Sequence, residues 1–338
     1  MTEAILPPLD DETTHEDDFS HGCKAVSAAR GAVERRVAGA LGTTLERTSW
    51  AGCRRLGSAV GLTFFAAGKK RRELAISNLQ MALGMNRANA LRTARRSAQN
   101  WGMTTCEFLH LPAASDQEIR DYVSLDGFEH LQGALERGNG AIVLTIHLGN
   151  WELLTARLAL ETRVAGIVRP LSNATAQATM SGVRRGYGLD IISKHAAARP
   201  SHKWLKSGGA LVILPDRHAG PEGALLPLFG RETLFEGAPA RMAQISGATI
   251  VPAWGVRRAP WLADGRIEAQ LWPGYTVENP AKSEREAAAI EGTKQVIESL
   301  EAIVRKHPDQ WSWMLRRWRD SDATGGEYKQ RKLSKHSR

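Results

Sequence analysis

Cysteine is scarce in this chain of 338 residues: Cys23, Cys53 and Cys106 lie far apart, with no C-x-x-C spacing and no clustered histidines. That excludes a disulfide framework and a structural zinc site and suits a reducing compartment. Long apolar runs are missing too. The longest stretch free of Asp, Glu, Lys and Arg is Met242 to Val256, 15 residues that include Gln, Ser, Thr and Pro, too short and too polar to span a bilayer. Fixed-period repeats, heptads and low-complexity tracts are absent, and so is the G-x-S-x-G of hydrolases with an acyl-serine intermediate. Gly138-Asn139-Gly140 precedes an apolar run instead of following one and lacks a third glycine, so it reads as a turn. Gly61 to Lys70 lacks the spacing and the Ser/Thr of a P-loop.

Positive charge is lacking only at the start. The first 18 residues hold seven acids and no Lys or Arg, so the remainder carries +16 where the whole chain carries +9. Such a surface favours an anionic partner: nucleic acid, an anionic membrane, a phosphorylated substrate or an acidic carrier protein. The N-terminus has none of the basic start and apolar run of a signal peptide, so the expectation is a protein that is not exported. With 42% hydrophobic and 24% charged residues, the chain has enough apolar material for a core.

Residues 1–20 read as a disordered acidic tail and residues 321–338 as a basic one. Between them, 21–111 is helical in character, and 112–320 alternates short apolar runs with helical stretches. The second pattern predicts an α/β fold, a mostly parallel sheet flanked by helices, preceded by a helical segment. Strands are expected at Ala141 to Ile146, Ala165 to Val168, Asp190 to Ile192, Ala210 to Leu214 and Thr249 to Val256. Arg266 to Trp272 is expected as an edge strand and Glu284 to Lys306 as a long helix. Within the helical segment, Gly57 to Gly68 is charge-free and closes on Lys69, Lys70, Arg71 and Arg72. That run fits an interfacial membrane anchor and fits an ordinary core helix ending in a basic turn equally well.

Function in such sheets sits at the carboxyl ends of strands. The first buried strand runs into His147-Leu148-Gly149-Asn150-Trp151-Glu152 and then a helix. Asn150 suits an N-cap, and Glu152 falls in the first turn, where the helix dipole favours a carboxylate. A strand-turn-helix of this length can fold Glu152 back onto His147, making a general base whose Nδ1 proton the carboxylate accepts. The bland counterpart is a capping Asn, a helix-start Glu and a His satisfied by backbone.

Together these residues resemble the H-x4-D/E signature of the lysophospholipid acyltransferase superfamily. HLGNWE is similar in particular to the bacterial lipid A biosynthesis acyltransferases, the late lauroyl/myristoyl transferases, and to the related phosphatidylinositol mannoside acyltransferases. The likeness spans roughly residues 45 to 320 in order. It takes in Arg72 with Asn78-Leu79, Asn100 to Glu107, Gly127 to Gly140, Val168-Arg169-Pro170 with Asn173, and Arg184 with Gly188. It continues through Leu214-Pro215-Asp216, Pro227 to Gly230, Gly237 to Pro252 and Pro308 to Arg319. Arg217 stands where the family often has Gln, Leu228 replaces a Phe, and the threonine-rich stretch shrinks to Thr233-Leu234-Phe235-Glu236.

The resemblance implies a transferase moving a fatty acyl chain from acyl carrier protein or coenzyme A to a hydroxyl of a lipid A precursor or similar glycolipid. No cofactor is implied beyond that donor. Another phospho- or glycolipid acceptor is the alternative within the class. His147 and Glu152 become the catalytic candidates, with Arg184, Asp216 and Arg169 as substrate-binding ones. Arg184 would hold a phosphate or help an oxyanion, and Asp216 would position it or meet a sugar hydroxyl. The expected place is the cytoplasmic face of the inner membrane, peripheral or monotopic, with no nucleic acid. Tryptophans among arginines at Trp311 to Arg319 also suit single-stranded nucleic acid, so a non-catalytic membrane or nucleic-acid binder is the reading from another class.

Overall fold

Ala141–Leu144 (AIVL) and Ala210–Ile213 (ALVI) are unbroken apolar tetrads, the pattern of parallel strands covered on both faces. In the computed structural model, which describes residues 42–220 and 223–319, they are β2 and β5 and lie side by side. The expected tails and residues 21–41 of the helical segment lie outside the described residues. The sheet has seven strands in the order β1-β9-β8-β2-β5-β3-β4. The others are β1 (Val123–Asp126), β3 (Val164–Val168), β4 (Leu189–Ser193), β8 (Thr249–Arg257) and β9 (Ile267–Leu271). Five strands run parallel, β9 pairs antiparallel with β8, and β1 runs parallel to β9. The fold is α/β with a mostly parallel sheet flanked by helices.

The strand at Ile267–Leu271 is not an edge, contrary to expectation: β1 covers it, from Val123↔Ile267 to Asp126↔Gln270. β1 leaves no signal in the sequence, because its four residues, VSLD, are too short and too mixed to show a period. Pro227 to Gly230, which the sequence places in the family pattern without strands, lies at the corner of a hairpin of β6 (Ala224–Leu228) and β7 (Arg231–Phe235). Its two corner residues, Phe229 and Gly230, both have positive φ, 51° and 76°.

Three long helices precede the sheet: α1 (Trp50–Ala67), α2 (Lys69–Leu83) and α3 (Arg87–His110). Ser49 and Asn86 accept backbone N–H bonds at the starts of α1 and α3, which supplies partners for N–H groups that a helix leaves open. α1 crosses α3 closely enough that a Cβ at Gly61 would lie 2.1 Å from the Ala98 carbonyl, and one at Gly102 2.1 Å from that of Gly57. The charge-free run of α1 thus has two faces. Gly57, Gly61 and Phe65 are buried, whereas Phe64 is 56% exposed and Leu56 38%.

Two helices bracket β1, α4 (Asp116–Tyr122) and α5 (Phe128–Glu136), and α6 (Trp151–Ala159) follows β2. Then come α7 (Ala174–Gly186), α8 (Ala198–Lys206), α9 (Ala238–Ser246) and α10 (Arg285–Lys306). On one face of the sheet Ile142, Leu144, Leu211 and Ile250 pack with α2, α9, α10 and the buried Trp311 and Trp313. On the other, Val143, Val212 and Val251 pack with α6, α5 and Phe108 of α3. Each such side chain contributes about 1.5–3 kcal/mol on burial, so the N-terminal helices share the sheet's core energetically. Among the described residues no helix is long and apolar enough to cross a membrane.

Candidate active site

β2 and β5 are in register at Leu144↔Ile213, and three residues beyond each strand stand His147 and Asp216. Parallel neighbours that leave the sheet together bring these two side chains into contact. His147 Nδ1 lies 2.7 Å from Asp216 Oδ1, and the His147 backbone N–H donates to Oδ2 at 3.2 Å. Trp311 Nε1 (2.9 Å) and Arg317 Nη2 (2.8 Å) also donate to Oδ2, while Arg317 Nε donates to the Asp216 carbonyl at 2.5 Å. The carboxylate has no exposure, whereas the imidazole keeps 21% of its surface. Burial pushes the Asp216 carboxyl up, but the charges of His147 and Arg317 and the bonds from both outweigh it and hold the group far below the usual carboxylate range. An ionised Asp216 requires a proton on Nδ1, which leaves Nε2 with the free lone pair.

The carboxylate that meets Nδ1 is therefore Asp216, not the Glu152 that local spacing suggested. Glu152 is occupied elsewhere: Arg184 on α7 donates through Nε to Oε2 (3.2 Å) and through Nη2 to Oε1 (2.5 Å). Burial pushes the Arg184 guanidinium down, and the Glu152 charge more than restores it, so the guanidinium stays charged. A guanidinium spent on Glu152 in this bidentate way is not a free phosphate ligand. Asp216 is likewise too deep to meet a sugar hydroxyl.

The turn that carries His147 is strapped from several directions. Gly149 has φ 59°, and a Cβ there would sit 1.9 Å from the Gly255 carbonyl. Its N–H donates to the Gln310 carbonyl (3.0 Å), Asn150 N–H to Gly255 (2.7 Å) and Ser312 N–H to His147 (2.9 Å). Asn100 Nδ2 (2.9 Å) and Thr104 Oγ1 (2.7 Å) of α3 donate to the Gly149 carbonyl. Asn150 caps α6 through the Leu153 N–H at 3.0 Å, and its Nδ2 donates to Glu107 at 2.7 Å. Glu107 in turn takes both Arg257 Nη1 (2.7 Å) and Nη2 (2.6 Å), with neither side chain exposed. Sequence reading missed Arg257 and Arg317 and gave Glu107 no role. The signal for Glu107 and Arg317 was their presence inside segments of the family pattern.

His147, Glu152, Arg184 and Arg169 line one cavity of about 460 Å³, with Asp216 behind the imidazole. Ile167, Met180, Leu189, Val212, Leu214 and Leu315 supply an apolar wall. Trp151 stands edge-on to the imidazole at 5.0 Å between centroids. The rim is cationic, with Arg169, Lys194, Arg217, Arg316 and Arg319. A His–Asp pair facing a space part apolar and part cationic is competent to take a proton from a hydroxyl on an anionic, chain-bearing molecule.

Comparison with known proteins points the same way. The family model described as bacterial lipid A biosynthesis acyltransferase matches residues 40–320. The phosphatidylinositol mannoside acyltransferase of Mycobacterium tuberculosis (strain ATCC 25618 / H37Rv) is 22% identical over 232 residues, 66% of this chain and 69% of the relative. That of Mycolicibacterium smegmatis is 24% identical over 184 residues, covering 50% and 60%. The lipid A biosynthesis palmitoleoyltransferase of Escherichia coli (strain K12) is 22% identical over 269 residues, covering 78% and 84%.

Proposed function

Because the chain belongs to the bacterial lipid A biosynthesis acyltransferase family and is an acyltransferase of the lipid A or phosphatidylinositol mannoside type, we propose that it transfers a fatty acyl chain from a thioester to a glycolipid hydroxyl. The donor is acyl carrier protein or coenzyme A, and the acceptor is a lipid A precursor or a similar glycolipid. The observation that carries this is the His147 Nδ1 to Asp216 bond of 2.7 Å at the wall of the cavity.

His147 Nε2 takes the acceptor's hydroxyl proton as its oxygen forms the bond to the thioester carbonyl carbon. Asp216 stabilises the imidazolium that results. As the tetrahedral intermediate collapses, the carbon–sulfur bond breaks and the imidazolium returns the proton to the departing thiolate. No serine or cysteine ester is needed on the way. Arg184, held by Glu152, supplies positive charge near the carbonyl oxygen, and the apolar wall receives the start of the acyl chain. Arg169 belongs to the anion-binding rim.

Work on lipids requires contact with a membrane surface. The exposed Phe64 and Leu56 of α1, followed by Lys69, Lys70 and Arg71, suit shallow insertion beside anionic headgroups. Purified protein given acyl-coenzyme A or acyl carrier protein thioester and a glycolipid acceptor should release free thiol in step with acylated lipid. His147→Ala should lower turnover by about 10²–10⁴-fold. Near-normal turnover in that variant overturns the assignment of the base.

A further inference from the structure

Glu236 closes the stretch Thr233 to Glu236, where the sequence departs from the family pattern, and its side chain lines the catalytic cavity. Proton transfer by His147 and Asp216 makes no use of it, nor does the pair of Glu152 with Arg184. Lys194, directly after β4, lines the same space, and its Nζ donates to Glu236 Oε2 at 2.7 Å. Oε1 accepts no hydrogen bond among the described residues. Both side chains meet solvent, Glu236 with 20% of its surface and Lys194 with 40%.

Both ends of the pair are anchored in the fold. Glu236 follows Phe235, which is buried and in register with Ala224 across the hairpin. Thr233 Oγ1 donates to the Arg317 carbonyl at 2.6 Å, and Arg317 is bonded to Asp216, so the strand that ends at Glu236 is tied to the partner of the base. Lys194 follows Ser193, which is in register with Val168 of β3. The pair thus joins the hairpin to the carboxyl edge of the sheet. An ion pair this accessible to water contributes little to stability, so joining the two walls does not account for it.

Its chemistry matches a hydroxylated, uncharged ligand. A hydroxyl both donates and accepts, so two neighbouring hydroxyls on a sugar ring meet an acceptor, Glu236, and a donor, Lys194, set side by side. The charges of the pair cancel, which leaves an uncharged ring with nothing to neutralise. A phosphate placed there would face the Glu236 carboxylate and compete with it for Lys194. We propose that Glu236, with Lys194, is a specificity-determining site that binds neighbouring hydroxyls of an unphosphorylated sugar in the acceptor and disfavours a sugar phosphorylated at that point. The inference rests on the acyl-transfer reading and names the part of the acceptor that the cavity selects.

Octyl mannoside below its micelle concentration is the probe, a single sugar ring on an alkyl chain. Calorimetric titration should show it binding the full-length wild-type protein, with affinity about 10–100-fold weaker in Glu236→Ala, the loss expected for hydrogen bonds to a charged group. Affinity should be unchanged in Glu291→Ala, which breaks the exposed pair of Glu291 with Lys294 outside the cavity. Thermal unfolding of each variant reports folding, and Lys194→Gln carries the same measurement should Glu236→Ala fold poorly. In turnover with a mannosyl lipid and the same lipid phosphorylated on the mannose, wild type should prefer the first. Glu236→Ala should raise KM for that lipid about tenfold or more and leave KM for the thioester unchanged. Absent binding, equal binding in wild type and Glu236→Ala, a wild-type preference for the phosphorylated lipid, or a thioester KM that rises as much as the lipid KM overturns the sugar site. Calorimetry needs no turnover, so a failed acyl-transfer reading shows separately as absent thiol release.

Discussion

Replacing Asp216 with Asn separates the two candidate partners of His147. Oδ2 now receives three donors, from the His147 backbone, Trp311 and Arg317. In the variant the amide oxygen must face those donors, which turns the NH2 group toward His147 Nδ1. The imidazole then accepts at Nδ1 and carries its proton on Nε2, the wrong tautomer for a base. A general base is worth about 10²–10⁴ in rate, so kcat/KM should fall about 10³-fold, or ~4 kcal/mol of barrier. Stability falls as well, because breaking a buried ion pair costs about 3–5 kcal/mol. The cost should lie at the low end, since Arg317 keeps the Asp216 carbonyl and the Ser312 carbonyl. Thiol release measured beside thermal unfolding of the same sample separates the two losses. Adding the substitution to His147→Ala should cost little further activity, because Asp216 acts through the imidazole. A folded Asp216→Asn enzyme within tenfold of wild type, or a full additional loss in the double variant, refutes the reasoning.

Glu152→Gln should leave partial activity, with kcat reduced about 10–100-fold as Arg184 loses its fixed partner; inactivity equal to that of His147→Ala would show that Glu152 does more than hold Arg184. Glu107→Gln should lower the unfolding free energy by about 3–5 kcal/mol by leaving Arg257 buried and uncompensated, read as a lower Tm, and a Tm within experimental error of wild type would contradict it. Asp216 also makes stability depend on acid. Its folded carboxyl lies below the unfolded value of 3.8, so its contribution is complete above roughly pH 4 and drains away as pH falls toward the folded value. Denaturant titrations from pH 6 to pH 2 should therefore show a steeper loss in wild type than in Asp216→Asn, and parallel curves would argue against the ionised pair.

The central strands were legible because β2 and β5 are unbroken apolar runs, and α10 because its length and period leave no other reading. β1 was not, since its residues gain strand character only from lying beside β9. The same non-local ordering hid the partner of His147. Sequence spacing favours a carboxylate five residues away, yet the one that binds Nδ1 is 69 residues away. It arrives there because β5 neighbours β2, and strand order is not written in either strand. Arg184 stands inside the family pattern, but its engagement by Glu152 joins residues 32 apart in sequence, which no local spacing reveals. The cationic excess was visible in composition and became specific only when three segments put Arg169, Arg217 and Arg316 around one cavity.

The central claim is that His147, oriented by Asp216, drives transfer of an acyl chain to a lipid hydroxyl. Lipid mass spectrometry of three strains tests it most directly: one lacking the gene, one re-expressing wild type, and one re-expressing His147→Ala at equal protein level. The account predicts that deletion removes one acyl mass from a glycolipid, that wild type restores it and that His147→Ala does not. Full restoration by His147→Ala, or no lipid changed by deletion, contradicts it.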